Sequence, residues 1–191
     1  MNWIPFLSYV AVSTFTPGPN NISSMSNAGR YGFWRSMAYR LGIASGFFVI
    51  MLAAALFSAV LLEKIPPLKP WLLALGAAYI LWLAWKTYSG GGSHGSSQSD
   101  CTFLSGLLLQ LVNVKVILYG ITIMSTFVLP HTSSLAVYAG VSAFLAAMAF
   151  VSTSSWALFG AAFSRFLSSH ERLANTVMAL LLVYCAVSLY L

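Results

Sequence analysis

The sequence predicts an all-α integral membrane protein whose six transmembrane helices form two inverted three-helix repeats. Of its 191 residues, 59% are hydrophobic and only 6% are charged, whereas soluble domains carry about 25% charged residues. Six apolar stretches are each long enough to cross a bilayer, and a Gly/Ser-rich segment separates the first three from the last three. Because three is an odd number, two successive halves of three spans must cross the membrane in opposite senses.

Spans are predicted where about 20 mostly apolar residues follow one another. The stretches that meet this condition are residues 3–25, 39–62, 70–88, 103–129, 135–163 and 173–191. Together they form a single transmembrane domain with a first half at 1–88 and a second half at 101–191. Residues 89–100 between the halves read SGGGSHGSSQSD, which predicts a flexible cytoplasmic linker.

The distribution of lysine and arginine predicts the orientation of the chain. Six basic residues flank the odd-numbered connections and two flank the even-numbered ones. Because positive charge collects on the cytoplasmic side, the odd connections are predicted to be cytoplasmic and both termini periplasmic. The six are Arg30, Arg35, Arg40, Lys86, Arg165 and Arg172, and the two are Lys64 and Lys69.

The first span is predicted to be broken, because it contains Thr16-Pro17-Gly18-Pro19-Asn20-Asn21. Pro17 and Pro19 lack backbone donors and clash with the preceding turn, while Gly18 allows backbone angles that other residues avoid. Broken backbone at membrane depth is tolerated only where it is buried in protein or lines a wet cavity. A helix that restarts at Pro19 or Asn20 points free N–H groups at that cavity, which suits a carboxylate. The alternative is a simple proline kink without a ligand.

The fourth span shows a weaker irregularity at Gln110-Leu111-Val112-Asn113-Val114-Lys115. A regular helix would place Asn113 and Lys115 on nearly opposite faces, so either the helix is locally open or one of them faces another part of the bundle. A lysine at the bilayer centre costs roughly 3 kcal/mol and usually marks a functional site. Snorkelling to an interface is the alternative. It is disfavoured because about 18 Å of helix rise precedes Lys115.

These two irregular stretches predict one substrate site. Gln110 and Tyr119 lie at one-turn spacings from the Asn113–Lys115 region and are expected to line the same pocket. No Asp or Glu occurs in any predicted span. The charge of Lys115 is therefore predicted to meet a substrate carboxylate, while freed carbonyls and asparagine amides take the substrate ammonium group. The predicted substrate-binding residues are Pro17, Gly18, Pro19, Asn20, Asn21, Gln110, Asn113, Lys115 and Tyr119.

Other patterns favour structural roles and exclude several function classes. The run Ser152-Thr153-Ser154-Ser155 either wets a transport pathway or forms interhelical hydrogen bonds, and the second interpretation is favoured. The small-residue stripe Gly42-Ile43-Ala44-Ser45-Gly46 is expected to pack helices within the chain. The histidines lie in connections, and no nucleophile–base arrangement, phosphate loop or redox motif is present. We therefore predict no enzyme activity, no cofactor, no metal site and no nucleic-acid partner.

The motifs also resemble a known family. Thr16-Pro17-Gly18-Pro19-Asn20, early in the first of six spans, is similar to the LysE/RhtB superfamily of bacterial amino-acid exporters, and the resemblance covers essentially the whole chain. That family usually has Asn-Pro-Lys in its fourth span, where this chain has Asn113-Val114-Lys115. Further stretches resemble the branch that exports cysteine and O-acetylserine. They are residues 77–79, 82–86, 112–120, 125–130 and 179–187.

The resemblance implies a multi-pass efflux carrier in the bacterial inner membrane for small neutral amino acids, such as cysteine and O-acetylserine. It assigns the first-span proline motif and the Asn/Lys element to the transport core. These are Pro17, Gly18, Pro19, Asn20, Asn113 and Lys115. The alternatives are an exporter of threonine, homoserine or a basic amino acid, and a membrane scaffold that transports nothing. The expected partners are a zwitterionic amino acid and the lipid bilayer, and assembly into homo-oligomers is left open.

Overall fold

The structure, a computed structural model, describes residues 3–57, 74, 77–78, 80–82, 84–85, 88–89, 101–163 and 170–187. These residues form helices joined by short turns, with no strand among them. Met37–Leu56, Val114–His131 and Leu135–Ala162 are long and apolar enough to cross a membrane, and Trp3–Phe15 and Phe103–Val112 are shorter apolar helices. The predicted all-helical class is confirmed, and helices of this composition are those of an integral membrane protein.

The first irregular stretch separates two helices, α1 (Trp3–Phe15) and α2 (Pro19–Tyr31). α2 is polar along most of its length, yet six of its residues are buried. It ends at Gly32, whose φ of 94° favours glycine and whose N–H donates to Ala28 O. The helix continues for six residues beyond the predicted end of this span at residue 25.

The second span corresponds to α3 (Met37–Leu56). It begins two residues before the predicted start, and the predicted end at 62 lies outside the described residues. Phe57 closes the helix by donating its N–H to Ala53 O at 2.9 Å.

The fourth span consists of α4 (Phe103–Val112) and α5 (Val114–Ile123), separated by Asn113. α4 starts with a capping box, in which Thr102 Oγ1 accepts the Ser105 N–H and Ser105 Oγ accepts the Thr102 N–H. α5 runs into a π-helical turn at Met124–Val128 and a 3-10 turn at Leu129–His131. This span is therefore irregular at its centre and at its end.

The fifth and sixth spans are longer regular helices, α6 (Leu135–Ala162) and α7 (Glu171–Val187). The predicted limits of the fifth span, 135–163, are confirmed to within one residue. α7 begins two residues before the predicted start of the sixth span at 173. The described residues between 74 and 88, in the predicted third span, are also helical.

Close backbone packing joins α3 to α4. A Cβ atom on Gly42 would collide with the carbonyl of Phe103, and one on Gly106 would collide with the carbonyl of Tyr39. A Cβ on Gly46 would come within 2.8 Å of the Gln110 side chain. The small-residue stripe therefore packs helices within the chain, as the sequence predicted.

Two apolar clusters hold the remaining helices around this pair. The larger cluster joins α1, α3, α5 and α6 around Phe6, Met51, Ile123 and Leu145. The second joins α2 to α7 and to residues from the predicted third span, through contacts that include Ile22, Ile80 and Leu182. The second cluster thereby packs the polar helix α2 against α7 and the described residues of the predicted third span.

Some sequence predictions concern residues outside the described part of the chain. The linker prediction falls almost entirely there, since residues 90–100 are not described. Four of the basic residues that set the predicted orientation also lie outside it. They are Lys64, Lys69, Lys86 and Arg165. The six-span count, the inverted repeat and the orientation of the termini therefore stay predictions.

Candidate functional site

The two helix interruptions border one cavity, which encloses about 420 Å³ of empty space counting its open mouth. Among the predicted site residues, those that line it are Gly18, Pro19, Asn20, Asn21, Asn113, Lys115 and Tyr119. The sequence analysis did not assign the rest of the wall to the site. That part consists of Ser13, Thr14, Phe47, Val116, Ala149 and Thr153.

The first interruption brings the N-terminus of α2 to the cavity. Gly18 is the N-cap, with φ −168° and ψ 172°, and Pro19 follows as the first helical residue. Proline suits this position because the first N–H groups of a helix have no intrahelical acceptor. The extended backbone at Gly18 is accessible to any residue, so the need for glycine is spatial. A Cβ there would lie 3.1 Å from Lys115 Nζ.

The second interruption occurs at Asn113, which ends α4 and caps α5 with φ −83° and ψ 91°. Its N–H donates to Gln110 O at 3.2 Å, and its carbonyl accepts from Val116 and Ile117 at 2.9 and 3.1 Å. The helix is thus open for one residue without a proline. Because of this opening, Asn113 and Lys115 both reach the cavity although they are only two residues apart.

Hydrogen bonds among three side-chain amides connect the two helix interruptions. Asn20 Nδ2 donates to Gln110 Oε1 at 2.9 Å, and Gln110 Nε2 donates back to Asn20 Oδ1 at 3.0 Å. Asn113 Nδ2 donates to the same Asn20 oxygen at 2.9 Å. Gln110 is fully buried behind the cavity wall and makes a further contact with Gly106 O. Asn20 is therefore the residue through which α2 is attached to both α4 and α5.

Asn113 also presents an acceptor with no protein donor. Its side chain is 2% exposed, and Oδ1 has no hydrogen-bond partner among the described residues. Leaving a buried acceptor unpaired costs about 1–3 kcal/mol. The amide orientation is held by the bond from Nδ2 to Asn20. A donor on a bound molecule, such as an ammonium group, would therefore be favoured at this oxygen.

Asn21 has a different role, because its polar atoms are already engaged. Its Nδ2 donates to the carbonyl oxygens of Thr14 and Thr16, both at 2.9 Å, and its Oδ1 accepts from Ser152 Oγ at 3.2 Å. Ser152 is also within 2.9 Å of Thr14 O. These bonds cap the end of α1. Contrary to expectation, the carbonyls freed at this helix end meet donors of the protein itself.

Lys115 supplies positive charge to the cavity. It is the second residue of α5, is partly buried, and donates from Nζ to Thr16 Oγ1 at 3.2 Å. Thr16 Oγ1 in turn lies 2.9 Å from Val12 O at the end of α1. Among the described residues, those that line the cavity include no Asp or Glu. An anionic group of a ligand would therefore find a cation here without competition from a carboxylate in the wall.

Tyr119 lines the cavity one helical turn beyond Lys115 and is 7% exposed. Its ring stacks on Tyr9 with centroids 5.5 Å apart and planes 4° apart, and lies 5.7 Å from the Phe47 ring. The hydroxyl is close to the Thr14 side chain. It has no partner within hydrogen-bond geometry among the described residues. The site therefore has a second buried polar atom that a ligand could engage.

The LysE type translocator family matches residues 11–191 of this chain. The chain belongs to this family. The chain is also 42% identical, over 186 residues, to proteins named "Cysteine/O-acetylserine efflux protein" from Escherichia coli strain K12, Shigella flexneri and Shigella sonnei. Each alignment covers 97% of this chain and 95% of the relative. No solved structure matches it significantly.

The resemblance drawn from the sequence is thereby confirmed at the level of the family. Both the family and these relatives carry names that describe transport. In the part of the translocator that the structure describes, no three His, Cys, Asp or Glu side chains lie close enough to hold a metal ion.

Not every predicted site residue of the translocator reaches the cavity. Pro17 is exposed and lies outside the wall, so its observed contribution is to end α1. In the polar run of α6, Ser152 bonds to the end of α1 and Ser154 accepts from another helix, as the interhelical interpretation predicts. Thr153 instead lines the cavity. Sequence spacing did not distinguish these neighbours, because tertiary contacts decide which side of α6 faces the site.

Arg40 is a charged residue whose burial the sequence analysis did not predict. Counted among the basic residues that flank the odd-numbered connections, it is fully buried in the first turn of α3. Its guanidinium lies over the Phe33 ring at 4.1 Å and donates to Phe33 O at 2.7 Å and to Ser154 Oγ at 2.8 Å. It therefore ties the turn between α2 and α3 to α6. The sequence feature that could have indicated this burial is the position of Arg40 directly before the uncharged run 41–62.

Proposed function

We propose that this protein is an amino-acid efflux carrier that exports small neutral amino acids, among them cysteine and O-acetylserine, from the cytoplasm by alternating access. The observation that carries this proposal is the cavity at which both helix interruptions meet, with Lys115 and Asn113 in its wall. Substrate sites of this kind, built from discontinuous helices, are typical of secondary transporters. The choice of cargo is supported by the name shared by relatives that are 42% identical.

The substrate carboxylate is assigned to the cationic side of the cavity. Lys115 Nζ offers a full positive charge there, and it lies close to Gly18 at the start of α2. The N-terminal turns of α2 and α5 both border the cavity and add the positive ends of two helix dipoles. Backbone N–H groups at such ends bind anions without a further charged residue.

The substrate ammonium group is assigned to Asn113 Oδ1. This oxygen is buried and unpaired within the described residues, and an ammonium group supplies three donors. The carbonyls at the end of α1 are less suited to this role, because Asn21 and Ser152 already donate to them. Since no Asp or Glu occurs among the described residues that line the cavity, a substrate with a second positive charge would be repelled by Lys115. A zwitterion fits this site better than a basic amino acid does.

The proposed arrangement in the membrane follows the sequence prediction. Two inverted halves, 1–88 and 101–191, cross the bacterial inner membrane and are joined by the cytoplasmic linker, with both termini in the periplasm. Asn20 belongs to the first half, whereas Gln110 and Asn113 belong to the second. The amide cluster is therefore a contact between the halves. In alternating access, rocking of one half against the other would open and reform this contact as the site changes sides.

Replacing Lys115 with alanine tests the site. Export of cysteine and O-acetylserine is expected to fall at least tenfold, because hydrogen bonds to charged groups contribute about 1.5–3 kcal/mol. The measurement compares intracellular and external amino-acid pools in cells that overexpress the wild-type protein or Lys115→Ala. Immunoblotting of membrane fractions establishes that both proteins insert to the same level.

Ser155→Ala is the matched control, since Ser155 is exposed on α6 and bonds only to Val151 O of its own helix. It should export like the wild type. Normal export by well-inserted Lys115→Ala would contradict the proposed site. Pools that do not respond to the wild-type protein would contradict export and favour a scaffold role. A response of threonine or homoserine alone would reassign the cargo.

A further inference from the structure

We infer that Tyr119 determines which side chains the carrier accepts, because its hydroxyl is placed to recognise a polar atom in the side chain of the substrate. This inference rests on the proposed export of small amino acids. It adds which class of side chain the exported amino acids carry. The favoured cargo is a zwitterionic amino acid that carries oxygen or sulfur directly beyond Cβ. An amino acid of the same size with a methyl group at that position is disfavoured.

The position of Tyr119 along α5 supports this assignment. Asn113 and Lys115, the groups proposed to hold the ammonium and carboxylate, lie at the start of α5, and Tyr119 lies four residues beyond Lys115. Four residues of helix rise amount to about 6 Å, and residues four apart share a helix face. A substrate held by its main-chain groups at the start of α5 therefore extends its side chain along the same face toward Tyr119.

The phenol ring is held so that its hydroxyl has little freedom. Tyr9 stacks parallel to it on one side, and Phe47 lies against it at 5.7 Å. Burial of the ring makes an unpaired hydroxyl unfavourable, and none of the described residues completes a hydrogen bond to this one. A polar atom on the substrate would therefore gain a preorganised partner, whereas a methyl group would leave the hydroxyl unsatisfied.

The wall around Tyr119 is mostly apolar, and its hydroxyl groups include those of Thr14, which lies close to the Tyr119 hydroxyl, and of Thr153. Phe47, Val116 and Ala149 are apolar. The hydroxyl of Thr153 bonds to carbonyls of its own helix, Ala149 O at 2.9 Å and Phe150 O at 3.1 Å. The part of the cavity proposed to hold the substrate side chain is therefore mostly apolar. Among the described residues, the Tyr119 hydroxyl is its buried polar atom without a hydrogen-bond partner. Such a site suits a short side chain with a single polar atom.

The test uses purified full-length protein in proteoliposomes that are loaded with unlabelled cysteine and take up labelled cysteine by exchange under reducing conditions. Exchange of this kind requires no knowledge of the coupling ion. Inhibition by cysteine is compared with inhibition by 2-aminobutyrate, which replaces the sulfur with a methyl group. The wild type should prefer cysteine. In Tyr119→Phe this preference should shrink about three- to tenfold, while the inhibition constant of 2-aminobutyrate stays the same.

Tyr9→Phe is the matched control, because it removes a phenol hydroxyl from the stacked neighbour, which lies outside the cavity wall. It should keep the wild-type preference. An unchanged preference in an active Tyr119→Phe protein would overturn the inference and leave the proposed export intact. Equal loss of exchange for both amino acids in Tyr119→Phe would also overturn it. Absence of any amino-acid exchange by the wild type would instead refute the proposed function, and the inference with it.

Discussion

The two helix interruptions border the same cavity, but different forces produce them. Between α1 and α2 the chain contains Pro17, Gly18 and Pro19, and prolines on both sides of a glycine kink or break a helix by their own covalent structure. Between α4 and α5 the break is at Asn113, followed by a valine that is compatible with a helix. The first interruption is therefore local and covalent in origin, and the second depends on contacts made across the fold.

The contacts that stabilise the second interruption come from the first. Asn113 donates its side-chain amide to Asn20, which is held in the opening turn of α2 because that helix starts at Pro19. A regular helix through Asn113 would place that amide and Lys115 on nearly opposite faces. One rigid break can thus impose a second break on a distant segment when a buried amide network connects the two. Changes at each break should therefore have unequal consequences.

The largest effect is expected from Asn20→Leu, which removes the link between the interruptions. Gln110 would lose both of its partners on Asn20, and the Asn113 amide would lose its acceptor. Unpaired buried groups of this kind cost about 1–3 kcal/mol each. We expect loss of roughly 3 kcal/mol in unfolding free energy together with loss of export. Denaturation of detergent-solubilised protein and cysteine exchange measure the two effects.

Asn27→Leu on the same helix is the control for this change. Asn27 is partly exposed and is not a cavity residue, so stability should change by less than about 0.5 kcal/mol. If Asn20→Leu proves no more damaging than Asn27→Leu, the amide network does not hold the second break open. The difference proposed between the two interruptions would then disappear.

A smaller effect is expected from Gly18→Ala, which alters the first break without closing it. The backbone at Gly18 accepts alanine, but its Cβ would lie 3.1 Å from Lys115 Nζ and 3.4 Å from Lys115 Cδ. Lys115 must therefore shift away from the start of α2. We expect exchange to fall about tenfold, the cost of about 1.4 kcal/mol in binding, with little change in thermal stability.

Gly140→Ala provides the comparison, because a Cβ on this α6 residue meets nothing within 4 Å. Alanine there should leave exchange unchanged and should stabilise the helix slightly. Equal exchange by Gly18→Ala and Gly140→Ala would show that the Gly18–Lys115 approach is not needed for transport.

The smallest effect is expected from Val114→Pro, which gives the second break the chemistry of the first. Val114 is the first residue of α5, a position that proline favours. Asn113, with φ −83° and ψ 91°, is already extended as a residue before proline should be. We expect full exchange and a stability change within about 1 kcal/mol.

Val116→Pro tests whether this tolerance is specific to position 114. The Val116 N–H donates to Asn113 O at 2.9 Å, so proline there removes a bond that closes the first turn of α5. This variant should lose stability by about 3 kcal/mol. Strong destabilisation by Val114→Pro as well would mean that the second break does not have the geometry described above.

Much of the fold could be predicted from composition, because the length of an apolar stretch indicates whether it can span a membrane. The limits of α6 were predicted to within one residue, and the small residues at 42–46 were correctly expected to pack helices within the chain. The end of α2 was missed, because this helix continues for six residues past the predicted limit, mostly through polar residues. Hydropathy gives no signal for that ending.

The first interruption, the apolar character of the chain and its resemblance to an exporter family can all be read from the residues, because each depends on local chemistry or on residue identity. The opening of the fourth span at Asn113, the connection of the two breaks by Asn20 and the burial of Arg40 become visible in the folded protein. These features depend on which polar atoms meet after distant segments pack. A buried hydrogen bond has two partners, and the sequence around either one does not identify the other.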